Sequence, residues 1–134
     1  MASPLALVVE DDRALARSFQ IALQGAGFEV HLADTARLAL DLVNALRPCL
    51  VVLDLHLIDE DELPTLTIQP RLVRECRAIG AQIVAVTGDP RLAEYLQADF
   101  DLVLYKPVST VQLRVLARRL CRIKGTADLL DAPR

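Results

Sequence analysis

Leu50-Val51-Val52-Leu53-Asp54 is a run of four apolar residues that leads straight into one carboxylate. An apolar run without polar alternation suits a strand covered on both faces, as in a parallel sheet. An Asp at its exit then stands at the carboxyl end of a central strand, the edge where open α/β sheets place their ligands. For that carboxylate to do chemistry, the chain has to bring further polar groups to the same edge.

Other short runs share this form. Leu5–Val9 leads into Glu10, Asp11 and Asp12; Ile83–Val86 leads into Thr87 and Gly88; Leu102–Tyr105 leads into Lys106 and Pro107. Glu29–Ala33 alternates instead, with Val30 and Leu32 inward, which predicts an outer strand. Helical patterns separate these runs. Leu15, Phe19 and Leu23 share one face before Gly25 and Gly27. Leu38, Leu42 and Leu46 follow a cap at Asp34 or Thr35 and precede Pro48. A helix is expected from Arg71 to Ile79, stopping at Gly80, and a short one from Arg91 to Gln97. The last runs from Thr110 to Ile123, capped by Ser109, with Leu113, Leu116, Ala117 and Leu120 inward. The stretch from Asp59 to Pro70, opening with Asp59-Glu60-Asp61-Glu62, reads as a long loop. Strand and helix thus alternate five times. That predicts a flavodoxin-like, doubly wound α/β fold: a five-stranded parallel sheet of order 2-1-3-4-5 with five helices.

The totals agree with one such domain. The 134 residues are 53% hydrophobic and 25% charged, enough for a single core and unlike a disordered chain. A net charge of −3 supplies no long-range attraction to nucleic acid or anionic lipid. Arg114, Arg118, Arg119, Arg122 and Lys124 read as a solvated helix face. Cys49, Cys76 and Cys121 are widely spaced and form no CxxC pair, so they read as reduced cysteines. The start has no basic leader and no apolar stretch reaches membrane-spanning length, so the expected location is the cytoplasm.

Parallel strands point their carboxyl ends the same way, so Glu10, Asp11, Asp54, Thr87 and Lys106 should meet on one rim. Carboxylates crowded there repel one another unless a cation joins them. Mg²⁺ suits the task, because it takes oxygen ligands and is usually held by one or two carboxylates plus phosphate oxygens. Lys106 brings a second positive charge and Thr87 a hydroxyl. A carboxylate nucleophile, a metal, a lysine and a hydroxyl are the parts that move a phosphoryl group onto Asp. Asp12 is expected to cap a helix. His31 and His56 lack metal-ligand spacing, so neither side chain is expected to be a ligand.

Val8-Val9-Glu10-Asp11-Asp12, Val52-Leu53-Asp54, Val86-Thr87-Gly88 and Tyr105-Lys106-Pro107 together resemble the receiver domain of bacterial two-component response regulators, of the CheY-like kind. The resemblance runs from about Leu5 to Ile123. It implies that Asp54 accepts a phosphoryl group from a histidine kinase or a histidine phosphotransfer protein. It also implies Mg²⁺ held by Asp11, Asp54 and the backbone carbonyl of His56, with Glu10 acting through water. Thr87 and Lys106 would bind the phosphoryl oxygens, helped by the Gly88 backbone N–H, while His56 and Asp89 occupy positions that tune self-dephosphorylation. Such a domain is a switch and no conventional enzyme. Its partners would be the phosphoryl donor and an effector protein, with neither nucleic acid nor membrane bound directly; a homodimer is a further partner the family allows. The expected layout is a receiver domain over residues 1–124 and a tail over 125–134, with no output domain.

The sequence also departs from the family pattern. Ile58 replaces the usual Pro, Glu62 stands near the place of a Gly, and the 59–70 segment is longer than usual. The interval from Thr87 to Lys106 is short. Val103 stands where an aromatic switch residue is normal, although Tyr105 projects from the same strand face. These departures leave a second reading, a receiver-like scaffold that does not cycle phosphate. An aspartyl-phosphate hydrolase of the haloacid dehalogenase type is a third, but it wants an Asp where His56 stands.

Overall fold

The computed structural model describes residues 3–56, 70–91 and 100–122. The elements follow in the order β1 (Leu5–Val9), α1 (Arg13–Gly25), β2 (Glu29–Ala33), α2 (Ala36–Leu46), β3 (Leu50–Asp54), α3 (Pro70–Ala78), β4 (Gln82–Thr87), β5 (Leu102–Tyr105) and α4 (Thr110–Cys121). Every strand pairing is parallel and the sheet order is β2-β1-β3-β4-β5, as expected. Four helices lie among the described residues. The expected short helix falls outside them beyond Arg91, as do residues 57–69, with Ile58 and the acidic run, and the tail from residue 123.

The period of two along the central strands divides their side chains between two cores. Leu7, Val9, Val51, Leu53, Ile83 and Ala85 face one side, where Ala39 and Val43 of α2 and Leu72 and Cys76 of α3 cover them. Ala6, Val8, Leu50, Val52, Val84 and Val86 face the other, beneath Phe19 and Leu23 of α1 and Leu113 and Ala117 of α4. All five residues of β3 are buried, because its neighbours β1 and β4 and both helix layers enclose it. This double coverage is why the strand carries no polar residue before Asp54.

The helix ends obey local chemistry. Asp12, Thr35 and Ser109 are N-caps that accept from the N–H groups of Leu15, Leu38 and Gln112. Pro70 is the first residue of α3, one position earlier than expected; its missing N–H costs nothing in a first turn. Past the end of α1, Gly27 adopts φ 101°, a left-handed conformation that an L side chain would strain.

Two expected helix and strand faces need correction. In α2 the buried residues are Ala36, Ala39 and Val43, while Leu38 is 40% exposed and Leu42 and Leu46 only half-buried. Small side chains let the helix axis approach the sheet closely, so the Ala/Val stripe faces inward and the leucines flank it. In β2, Val30 is half-buried against α1's core, but Leu32 is 38% exposed. An edge strand has one neighbour only, and Leu32 with Leu38 borders an open cleft of about 420 Å³ beside Arg13 and Arg17.

Candidate phosphoacceptor site

The register of the sheet brings the site together. Val9 pairs with Leu53, so the next residues, Glu10 and Asp54, leave adjacent strands at one level. Asp54 pairs with Val86 and Thr87 pairs with Tyr105, which sets Thr87 and Lys106 on the same rim. The backbone then fixes the exits: Leu55 N–H donates to Val86 O at 3.0 Å and Lys106 N–H to Thr87 O at 2.8 Å. Glu10, Asp54 and Thr87 are the buried polar residues among those described. Asp11 is exposed beside them.

Lys106 stands between the two buried carboxylates, with Nζ 3.4 Å from Asp54 Oδ1 and 3.4 Å from Glu10 Oε1. Burial opposes its charge, yet Asp54 and Glu10 together outweigh that and hold its pKa above the ordinary lysine value. One lysine does not satisfy two carboxylates. Burial, reinforced by the Asp54 carboxylate beside it, pushes Glu10 up to about 8. Glu10 Oε2 accepts from Asp12 N–H at 3.3 Å, but the buried Oε1 accepts no hydrogen bond. A buried acceptor left without a bond is costly unless a further group supplies the missing interaction. Carboxylate oxygens of Glu10, Asp11 and Asp54 lie within 4.8 Å of one another and can hold a metal ion. An all-oxygen donor set fits a hard divalent cation.

His56 follows Asp54 by two residues and serves the site in two ways. Its N–H donates to Asp54 Oδ1 at 3.0 Å, fixing the carboxylate rotamer. Its exposed ring places Nε2 2.9 Å from Thr87 Oγ1. The Thr87 hydroxyl also accepts from Asp89 N–H at 3.0 Å, so it already has protein partners from two directions. Sequence reasoning assigned His56 only a carbonyl and a tuning position. The ring's contact with Thr87 joins residues 31 apart, and no local pattern encodes it. Asp89 itself accepts from Arg91 N–H at 3.0 Å. Asp12, expected to cap rather than ligate, does cap α1.

Further out on the rim, Val103 is half-buried and packs on the core shared with α2 and α3, whereas the Tyr105 ring is 52% exposed. Among the described residues, no helix is long and apolar enough to cross a membrane.

Comparisons with known proteins agree with this fold. Residues 6–118 match the family model of the response regulator receiver domain. The chain is 35% identical over 121 residues to the response regulator MprA of Mycolicibacterium vanbaalenii, covering 87% of this chain and 49% of that protein. It is 33% identical over 132 residues to MprA of Mycobacterium sp. strain KMS, covering 95% and 54%. The chain therefore spans about half the length of these curated relatives. Among solved structures, a CheY-like receiver domain from Methylobacillus flagellatus matches with a TM-score of 0.71 at 26% identity, over 89% of this chain and 99% of that one. The receiver domain of NtrX from Brucella abortus matches with a TM-score of 0.72 at 22% identity, over 89% and 99%. The carboxylate rim, the sheet order and the family match over most of its length make this chain a member of the response regulator receiver domain family.

Proposed function

We propose that this receiver accepts a phosphoryl group on Asp54 in a Mg²⁺-dependent reaction and thereby switches its interactions with a partner protein. The observation that carries the reading is the buried Glu10–Asp54 pair, which shares one lysine and leaves Glu10 Oε1 without a hydrogen bond. The donor is a phosphohistidine on a histidine kinase or a histidine phosphotransfer protein. An Asp54 oxygen forms the new bond to phosphorus, the phosphorus–nitrogen bond breaks, and the donor imidazole leaves. Lys106 binds one phosphoryl oxygen from the position it already holds beside Asp54, and Thr87 binds another through its hydroxyl. The Gly88 N–H is a further donor, and the space around Gly88 is open, since a Cβ there would meet nothing within 4 Å. Glu10, Asp11, Asp54 and the His56 carbonyl would hold Mg²⁺, which when bound neutralises the charge gathering on the phosphoryl oxygens. Catalysis here is confined to the domain's own phosphorylation and dephosphorylation. The proposed bounds are a receiver over residues 1–124 and a tail over 125–134, acting in the cytoplasm.

Thr87 must exchange its contact with His56 for the phosphoryl oxygen, which couples the new charge to the loop after β3. Val103 offers no ring to turn inward, and Tyr105 is the exposed aromatic on that strand. That observation favours, as a second reading, a scaffold that docks without cycling phosphate. Intact-mass measurement after incubation with Mg²⁺ and acetyl phosphate separates the two. A phosphoryl adduct that vanishes in Asp54→Asn supports the switch; no adduct supports the scaffold; multiple-turnover phosphate release would indicate a hydrolase.

A further inference from the structure

The amino edge of the sheet carries a pair of thiols that the phosphoacceptor chemistry does not use. Cys49 lies just before β3 and Cys121 is the last residue of α4, so 72 residues of chain separate them in sequence while the fold brings them together. Cys121 Sγ is 3.4 Å from Cys49 O, and Cys49 Sγ is 3.4 Å from Leu5 O. The end of α4 is held in place, because Arg118, one turn earlier, donates to Gly25 O at 3.1 Å and to Ala26 O at 3.4 Å. Both thiols are half-buried and both are free, so a small oxidant can reach them.

We propose that Cys49 and Cys121 form a dithiol that a hydroperoxide oxidises to an intramolecular disulfide, tying the end of α4 to the start of β3. Cys49 is the attacking group. The Cys121 side chain beside it favours its thiolate and holds its pKa below the ordinary thiol value, whereas that of Cys121 is raised. The Cys49 sulfur attacks the peroxide, the O–O bond breaks, and one oxygen stays as a sulfenic acid while the other leaves as water or alcohol. The Cys121 sulfur then displaces that oxygen, and its thiol proton leaves with it as a second water. With Cys121 Sγ already 3.4 Å from the Cys49 carbonyl oxygen, closure requires the two sulfurs to turn toward each other and reach about 2.05 Å. Cys76 supplies the internal control. It is 1% exposed, and burial pushes its thiol up to about 12, so it stays protonated and out of reach.

The reaction lies at the opposite edge of the sheet from Asp54, about 16 Å away along a five-residue strand, and its readout needs no phosphorylation. The test treats the purified full chain with hydrogen peroxide, then counts thiols after denaturation and maps cross-links by non-reducing peptide mass spectrometry. Wild type should fall from three titratable thiols to one. Its intact mass should drop by two hydrogens, with a Cys49–Cys121 linked peptide that reductant releases. Cys76→Ser should still form the link, while Cys49→Ser and Cys121→Ala should not. Cys121→Ala sits at a helix end and keeps the question answerable if the Cys49 variant fails to fold. Oxygen uptake without a cross-link, links only between chains, or a link that survives loss of either cysteine would overturn the proposal.

Discussion

The two edges of the sheet are built to opposite rules. At the amino edge no buried side-chain nitrogen or oxygen among the described residues lacks a hydrogen-bond partner. Asp101 accepts from Ile83 N–H at 2.7 Å and takes two bonds from the Arg77 guanidinium, at 3.1 and 3.2 Å. Arg118 satisfies the last carbonyls of α1. At the carboxyl edge two buried carboxylates share one half-buried lysine, and Glu10 Oε1 has that ion pair but no hydrogen bond. Helix ends and strand starts can be closed by side chains whose only task is to stay put. On the proposed reading, a site that receives a divalent cation has to keep acceptor oxygens in reserve, which costs stability until the cation arrives.

Substitutions at the two edges should therefore part stability from chemistry. The largest effect expected is Asp54→Asn: complete loss of the phosphoryl adduct by intact mass, with a melting temperature no lower than wild type, since one of two repelling carboxylates is gone. Asp101→Ala should do the reverse. It strands the Ile83 N–H and removes two bonds from the Arg77 guanidinium, costing about 2 kcal/mol in denaturant unfolding, while the rate of labelling by acetyl phosphate stays within twofold of wild type. Arg118→Ala should cost about 1 kcal/mol through lost bonds to the α1 carbonyls, again with labelling unchanged. Glu10→Gln should raise the melting temperature in EDTA and abolish most of the Mg²⁺-dependent rise that wild type shows. A drop in EDTA would break the contrast, because it would mean that Glu10 already contributes to the fold without a cation.

The smallest effect concerns the core between the edges. The Cys76 thiol is pushed from an ordinary 9.0 to about 12 by burial. An acid with a raised folded pKa keeps its full contribution to stability below the unfolded value. It loses that contribution progressively as pH rises toward the folded one, because only the unfolded chain can ionise. Wild type should thus lose more stability than Cys76→Val between pH 9 and 12, read as the difference in their denaturation midpoints at each pH.

Legibility followed sequence distance. Strand starts and ends were readable because apolar runs and caps are local: Asp12 and Ser109 cap the helices expected of them, and Thr35 rather than Asp34 takes the third. Which helical residues face inward was read less well. In α2 the pattern of Leu38, Leu42 and Leu46 competed with that of Ala36, Ala39 and Val43, and hydrophobicity alone favours the larger side chains. Closeness of approach to the sheet decided for the small ones. The carboxylate rim was foreseen, since parallel topology sends every strand exit to one edge.

By itself the sequence determined the parallel sheet, its strand order and the gathering of Glu10, Asp11, Asp54, Thr87 and Lys106, because periodicity, caps and connection handedness are properties of short stretches. Only the tertiary structure decided how the groups at each edge bond to one another. It set the His56 ring against Thr87, Arg118 on the carbonyls of α1, and Cys121 against Cys49. Those contacts join residues far apart in the chain, and their geometry exists only once the strands are in register and the helices are packed.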